Sequence, residues 1–148
     1  MKKILIVDDE IDVAQRIGRS LISKGYEVIL AFSGEQGLIE AVSTQPDLMI
    51  LDATMPNMSG LEVLRHLRDE PFLDNVPIML LVTRSSAEEA IINKGIASIG
   101  KSQIKHPEIL TVDTFQHKPI VFIELHTYVR AIFRSLNGEF GPIYPWDG

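Results

Sequence analysis

Short apolar runs alternate along the chain with longer segments in which apolar residues recur at helical spacing. The apolar runs fall within residues 4–7, 27–31, 48–51 and 77–83, and turn-forming or charged residues bound each run. A short apolar run between turn signals is typical of a strand that is buried on both faces. The pattern therefore predicts a parallel sheet with helices packed on both of its sides.

The second amphipathic segment has both a helix start signal and an apolar stripe. Ser33 is a good N-cap residue, and Gln36 follows it three positions later, as in a capping box. Leu38, Ala41 and Val42 are expected to form the buried face of this helix. By the same reasoning, helices are predicted over residues 12–24, 61–70, 86–92 and 120–136, with Gly25 ending the first of them.

A fifth strand is predicted over residues 111–115, close to the last helix. Alternation of strands and helices of these lengths favours an α/β fold with a doubly wound, five-stranded parallel sheet. The expected strand order is 2-1-3-4-5, which gives a flavodoxin-like three-layer sandwich. In this order the first and third strands are neighbours, and the crevice at their carboxyl ends is the usual ligand site.

Acidic residues stand at the carboxyl ends of these two neighbouring strands. Asp8 and Asp9 follow the first apolar run, and Asp52 follows the third. Three carboxylates in one crevice repel one another unless a cation or a proton intervenes. A divalent cation with oxygen ligands relieves this repulsion, and Mg²⁺ is the usual ion near phosphate groups. The pattern predicts a Mg²⁺ site at this edge of the sheet.

Length and composition restrict the remaining choices. A chain of 148 residues with 45% hydrophobic residues fits one globular domain. The formal net charge of −6 argues against a sequence-independent hold on nucleic acid, and the lack of cysteine excludes disulfides and thiolate metal sites. No apolar run has the length of a membrane span, and only four apolar residues follow Met1-Lys2-Lys3, too few for a signal peptide. We therefore expect a cytoplasmic protein.

The candidate site residues resemble, in type and order, those of the receiver domain of two-component response regulators. A hydroxyl residue, Thr83, ends the fourth strand, and Lys118 follows the fifth strand and precedes Pro119. Each motif is weak when taken singly, but together and on these elements they are specific. The matching segments are Val7-Asp8-Asp9, residues 51–60, Val82-Thr83 and Lys118-Pro119.

The resemblance implies a phosphoacceptor site. Asp52 would be the nucleophile that accepts a phosphoryl group from a phosphohistidine, which requires mainly positioning and charge neutralisation. Asp9, Asp52 and the backbone carbonyl of Thr54 would ligate Mg²⁺, and Asp8 would hold a metal-bound water. On this interpretation the chain is a phosphoacceptor signalling domain that carries out only its own phosphorylation and dephosphorylation.

The resemblance also implies how the domain switches. Lys118 would neutralise one phosphoryl oxygen, and the hydroxyl of Thr83 would donate a hydrogen bond to another. Phe115 holds the position of an aromatic residue that swings inward when the threonine moves. Phosphorylation would thereby shift the population of a protein–protein interaction face.

The implied partners are a sensor histidine kinase or phosphotransfer protein and a downstream protein target, with no direct contact to nucleic acid or membrane. Receivers commonly meet partners or form homodimers through their fourth helix, fifth strand and fifth helix. Here the segment between Thr83 and Lys118 is longer than one helix, a strand and two short loops require, so the shape of that face is open. The receiver would cover residues 1–136, and residues 137–148 would be a tail or the start of a linker.

Three other functions are compatible with an α/β domain of this kind to different degrees. A receiver-like interaction scaffold that works without phosphorylation remains open. A Mg²⁺-dependent phosphatase of the dehalogenase kind requires an aspartate two residues after the nucleophile, where this chain has Thr54. A flavodoxin-like electron carrier requires a phosphate-binding loop after the first strand, and no glycine- or hydroxyl-rich segment is found there. The four histidines lack zinc-type spacing and are expected to be surface or packing residues.

Overall fold

A computed structural model describes residues 1–73, 76–81 and 122–136, and in the last of these segments it describes the side chains from Leu125 to Arg134. Strands and helices alternate along the described chain, as the sequence predicts. The elements are β1 (Lys3–Val7), α1 (Ile11–Ile22), β2 (Glu27–Ala31), α2 (Gly34–Thr44), β3 (Leu48–Asp52), α3 (Gly60–Arg68), β4 (Ile78–Leu81) and α4 (Phe122–Leu136).

The described strands form one parallel sheet in the order β2-β1-β3-β4. Ile6 pairs with Leu30 on one side and with Ile50 on the other, so β1 is an inner strand. This confirms the predicted doubly wound α/β fold and the predicted order of the first four strands. The predicted strand at 111–115, the predicted helix at 86–92 and the tail at 137–148 lie outside the described residues.

Alternate residues of each central strand face two separate cores. Leu5 and Val7 of β1 pack with the residues that α2 and α3 bury. Ile4 and Ile6 point the other way, into a core shared with α1 and α4. All four side chains are fully buried, because helices cover both faces of the sheet. The predicted three-layer arrangement is therefore present.

The ends of the elements follow local chemistry closely. β2 has the predicted bounds, and α1 ends two residues earlier than predicted, at Ile22. Gly25 has a φ of +93°, a left-handed conformation that suits glycine and ends the segment before β2. Ser33 is the N-cap of α2, and its side chain accepts a hydrogen bond from the Gln36 amide at 3.1 Å.

The predicted buried face of α2 is partly wrong. Ala41 is buried as predicted and Leu38 is partly buried against the same core, but Val42 is 44% exposed. The helix buries Gly34 and Gly37 in addition to Ala41. A Cβ atom at Gly37 would lie 2.9 Å from a methyl carbon of Val7, so the helix approaches β1 more closely than larger side chains allow. The contact is made by small residues spaced three and four apart, and this rotates Val42 away from the sheet.

Candidate functional site

Backbone pairing of the strands continues far enough to fix the positions of the predicted acids. The amide of Asp8 donates to the carbonyl of Ala31 at 3.1 Å, one residue beyond β1. The amide of Ala53 donates to the carbonyl of Leu81 at 2.9 Å, one residue beyond β3. Asp8 and Asp52 therefore sit on rigid backbone at the carboxyl end of the sheet.

The structure brings Asp8, Asp9 and Asp52 together. One carboxylate oxygen of each residue lies within 4.8 Å of those of the other two. Asp8 is fully buried and Asp52 is 4% exposed, whereas Asp9 is half-buried. Among the described residues, Asp8 and Asp52 are the buried charged residues. Burial of a carboxylate is costly unless it is hydrogen-bonded, paired or bound to a metal ion.

Each buried carboxylate is oriented by a turn that it forms with its own backbone. Oδ1 of Asp8 accepts a hydrogen bond from the amide of Glu10 at 2.9 Å. Oδ1 of Asp52 accepts one from the amide of Thr54 at 3.0 Å. Bonds to an amide two residues on are the usual Asx-turn contacts of aspartate, and here they fix which way the two carboxylates point.

The loop between β3 and α3 is held tightly against the strand that carries Asp52. The amide of Gly60 donates to the carbonyl of Ala53 at 3.0 Å. A Cβ atom at Gly60 would lie 2.5 Å from the backbone oxygen of Asp52 and 2.8 Å from Cα of Ala53. Because both neighbours are backbone atoms, a side chain at position 60 has to displace the strand end itself.

The sequence predicts a turn at residues 57–60 but does not predict this steric role of Gly60. Asn57 has a φ of +70°, a left-handed conformation that asparagine tolerates better than most residues. Ser59 is the N-cap of α3, and its side chain accepts a hydrogen bond from the amide of Glu62 at 3.3 Å. The composition of the segment predicted a turn, but the close approach to Asp52 depends on tertiary packing.

The three aspartates fit a hard divalent cation. Carboxylate oxygens are the ligands that Mg²⁺ prefers, and the protein usually supplies one or two of them while waters complete the octahedron. Within the described segments, this is the one place where three or more potential ligand side chains come together. His66 is exposed and His126 is half-buried and hydrogen-bonded to Ser20, which agrees with surface and packing roles for these two histidines.

Other predicted site residues are placed only in part. Thr54 lies two residues after Asp52, and its amide donates to Oδ1 of Asp52, but its predicted role as a carbonyl ligand stays a prediction. Thr83, Phe115 and Lys118 lie outside the described residues, and so do His106 and His117. Among the described helices, none combines the length and the hydrophobicity that are required to cross a bilayer.

Comparison with known proteins assigns the chain to a family. The family model described as the response regulator receiver domain matches residues 4–110. Response regulator MprA from Mycobacterium sp. (strain KMS) is 33% identical over 143 residues, which cover 97% of this chain and 55% of that protein. The chain thus spans about half the length of the curated relatives it matches.

Solved structures agree with this assignment. Chemotaxis protein CheY4 of Vibrio cholerae superposes with a TM-score of 0.70 at 28% identity, covering 88% of this chain and 97% of that one. The signal receiver domain of a signal transduction histidine kinase from Syntrophus aciditrophicus gives a TM-score of 0.70 at 25% identity, covering 97% and 98%. With acids gathered at the carboxyl ends of β1 and β3 of a doubly wound sheet, the chain belongs to the receiver domain family of response regulators.

Proposed function

We propose that this domain is a Mg²⁺-dependent phosphoacceptor that takes a phosphoryl group onto Asp52 and thereby switches a protein–protein interaction face. The observation that carries this proposal is the grouping of Asp8, Asp9 and Asp52 within 4.8 Å at the carboxyl end of the sheet. A nucleophilic carboxylate needs a neighbourhood that binds a cation, because the incoming phosphoryl group is itself anionic.

Asp52 performs the covalent step. One of its carboxylate oxygens forms a bond to phosphorus while the phosphorus–nitrogen bond of the phosphohistidine breaks. The imidazole leaves with the bonding electron pair and takes up a proton, and Asp52 becomes an acyl phosphate. The hydrogen bond from the Thr54 amide to Oδ1 restricts rotation of the carboxylate, so the nucleophile is oriented before the donor arrives.

Asp8 and Asp9 support this step together with Asp52 by holding the metal ion. When bound, Mg²⁺ supplies the charge that neutralises the phosphoryl oxygens in the transition state. Asp9, Asp52 and the carbonyl of Thr54 are the proposed ligands, and Asp8 is the proposed partner of a metal-bound water. Full burial of Asp8 excludes bulk water from its side of the site, which strengthens its electrostatic contacts.

Three residues beyond the described segments complete the proposal. Lys118 neutralises a phosphoryl oxygen, the Thr83 hydroxyl donates to another, and Phe115 follows Thr83 inward in the active state. The donor is a phosphohistidine on a sensor histidine kinase or phosphotransfer protein in the cytoplasm. The readout is a changed affinity for a downstream protein, or for a second copy of this chain through the helix, strand and helix that follow β4.

Phosphorylation with acetyl phosphate and Mg²⁺ tests the proposal. We expect uptake of one phosphoryl group by intact mass measurement, and a rate at least about 100-fold lower in Asp52→Asn, since an amide cannot act as the nucleophile. Asp47→Asn is the matched control, because it removes an exposed carboxylate just before the amino end of β3, whereas Asp52 ends that strand. The Asp47→Asn variant should be phosphorylated at the rate of the unaltered chain.

The interaction-scaffold alternative makes the opposite prediction. A scaffold that works without phosphorylation takes up no label from acetyl phosphate and shows no Mg²⁺-dependent binding of beryllofluoride. Equal labelling of Asp52→Asn and the unaltered chain would place the acceptor elsewhere and overturn the assignment of Asp52.

A further inference from the structure

A cavity lies at the opposite end of the sheet from Asp52. It has a volume of about 360 Å³, opens to solvent, and is lined by Lys24, Tyr26, His126, Thr127 and Arg130. We call it the α1–α4 pocket, since Lys24 follows α1 and the last three residues lie on α4. Its volume is within the range of sites for small molecules.

The pocket is cationic in a protein with a formal net charge of −6. Lys24 and Arg130 are both exposed, and none of the described residues that line the pocket is acidic. In the part of the chain that the structure describes, neither Lys24 nor Arg130 forms an ion pair with an acidic side chain. The two cations thus line one cavity, and their charge is available to an anion from outside.

Uncharged donors add to the two cations. Burial raises the pKa of the Tyr26 hydroxyl, and the nearby Arg130 opposes part of that rise, so the hydroxyl keeps its proton at neutral pH and can donate it. The Tyr26 ring packs against Phe133 with 5.6 Å between ring centroids. Nε2 of His126 lies 2.6 Å from Oγ of Ser20 on α1, which fixes the imidazole beside the pocket.

We propose that the α1–α4 pocket binds a small organic phosphate. Arginine and lysine beside hydroxyl donors match a phosphate group, which offers several acceptor oxygens and up to two negative charges. The cavity volume of about 360 Å³ lies within the usual range of small-molecule sites. This exceeds a free phosphate ion and leaves space for a carbon group against the Tyr26 ring.

His126 reports occupancy of the pocket. Its pKa is lowered first by desolvation and then by the Lys24 charge, while a hydrogen bond to Ser20 opposes the shift. Arg130 lies four residues along the same helix face and adds positive charge, and the Tyr26 hydroxyl is neutral. A bound phosphate dianion favours the protonated imidazole, so it should raise the pKa of His126 and bind more tightly as the pH falls.

Titration of the full chain with phenyl phosphate, followed by amide and imidazole NMR signals in the absence of Mg²⁺, tests this proposal. We expect saturable shifts at Lys24, Tyr26, His126, Thr127 and Arg130 with a Kd of about 1 mM or below in about 150 mM salt. Inorganic phosphate should bind more weakly than phenyl phosphate because it lacks the carbon group. Benzoate, with the same ring and one charge, should bind least.

Two variants locate the binding site. Lys24→Gln and Arg130→Gln should each weaken binding by about tenfold or more. Arg19→Gln removes the same charge from α1 without lining the pocket, and it should change the Kd by less than about twofold. Asp52→Asn should leave the Kd unchanged, which separates this site from the phosphoacceptor.

The proposal is overturned if the shifts at these residues do not saturate, if Arg19→Gln weakens binding as much as the pocket variants, or if benzoate equals phenyl phosphate. The first result leaves no site, the second shows diffuse charge attraction, and the third shows an apolar pocket without phosphate recognition. A circular dichroism spectrum of each variant, matching that of the unaltered chain, excludes loss of the fold as the cause.

Discussion

The two ends of the sheet are built on different principles. At the carboxyl end, Asp8 and Asp52 are buried and oriented by backbone amides, and Gly60 lies against the strand that carries Asp52. At the amino end, Lys24 and Arg130 are exposed, and Gly25 has open space around its Cβ position. The carboxyl end fixes negative charges at short range, whereas the amino end carries positive charges on flexible side chains.

This difference fits the two functions proposed for the ends, a phosphoryl acceptor and a simple anion site. A nucleophile must be held in one orientation, because a displacement of about 1 Å can cost about 100-fold in rate. Lysine and arginine side chains can adjust to a bound ligand at a modest entropic cost. The carboxyl end should therefore be the more sensitive of the two to small substitutions.

The largest difference between the two ends is expected when glycine is replaced by alanine at Gly60 of the carboxyl end and at Gly25 of the amino end. Gly60→Ala should destabilise the protein by about 3 kcal/mol, since overpacking against backbone forces the strand end to move, and it should weaken Mg²⁺ binding at least about tenfold. Gly25→Ala should cost about 1 kcal/mol, from the left-handed backbone alone. Urea unfolding and Mg²⁺ titration measure both effects.

Binding of Mg²⁺ decides whether the contact at Gly60 positions Asp52 or only supports the fold. Gly25→Ala provides the control, because it should leave the Mg²⁺ affinity unchanged while lowering stability. If Gly60→Ala binds Mg²⁺ normally, the strand end absorbs the added methyl group without moving the carboxylate, and the contrast between the two ends fails.

Replacing one aspartate by asparagine at each end of the sheet should change the free energy of unfolding in opposite directions, and by less than the glycine substitutions do. In metal-free protein, Asp52→Asn should raise the free energy of unfolding by about 1–2 kcal/mol, because it removes one charge from three carboxylates within 4.8 Å. Asp47→Asn should lower stability by less than about 1 kcal/mol, since Oδ2 of Asp47 accepts a hydrogen bond from the Lys3 amide at 2.8 Å. Denaturant midpoints with and without chelator measure both changes.

In the presence of Mg²⁺, the unaltered protein should be more stable than Asp52→Asn, the reverse of the order expected without metal. The unaltered protein gains stability as the ion binds the folded state, and Asp52→Asn gains much less. Destabilisation of metal-free Asp52→Asn would show that attractive contacts of this carboxylate outweigh the repulsion among the three acids.

A modest gain in stability is expected from a glycine substitution at the end of α2, which lies at the amino end of the sheet. Gln45, the C-cap of α2, has a φ of +48° and a ψ of +69°, a conformation that costs a non-glycine residue about 1–2 kcal/mol. Gln45→Gly should raise stability by about 0.5 kcal/mol after the greater entropy of glycine in the unfolded chain is subtracted. Asn57→Gly is the comparison at the carboxyl end and should gain less, because asparagine already tolerates its φ of +70°.

The smallest effect is expected from the pH dependence of His126. Its pKa is lower in the folded protein than the ordinary value of 6.5, so the unfolded chain binds more protons between the two values. Stability should then fall as the pH is lowered from about 7.5 to about 5.5, and the fall should be smaller in His126→Gln. Proton NMR of the imidazole measures the folded pKa, and a value above 6.5 would reverse the sign.

Much of the fold follows from local patterns. The strand at 27–31, the Ser33 cap and the glycine stop at Gly25 are each decided within a few residues, and all three are confirmed. The gathering of Asp8, Asp9 and Asp52 followed from one topological rule, because parallel neighbours bring their carboxyl ends to the same edge. Local pattern and strand order together were therefore enough to predict the acidic site.

Contacts between elements were harder to predict. Val42 is exposed because α2 packs through Gly34 and Gly37, and a hydrophobic stripe says nothing about such close backbone approach. The steric role of Gly60 and the α1–α4 pocket likewise depend on residues far apart in sequence. Roles of Thr83, Phe115 and Lys118 stay predictions, since these residues lie outside the described segments.

The contact between residue 60 and the strand end also bears on how the gene can vary. Every single-nucleotide missense change of a glycine codon introduces at least a Cβ atom, so each such allele places a carbon in the space that one hydrogen now occupies. Deep mutational scanning for phosphorylation-dependent output should therefore show that no substitution of Gly60 is tolerated. At position 25 no atom of the described residues lies within 4 Å of the Cβ site, so the same scan should show tolerance of asparagine and aspartate, which accept left-handed backbone.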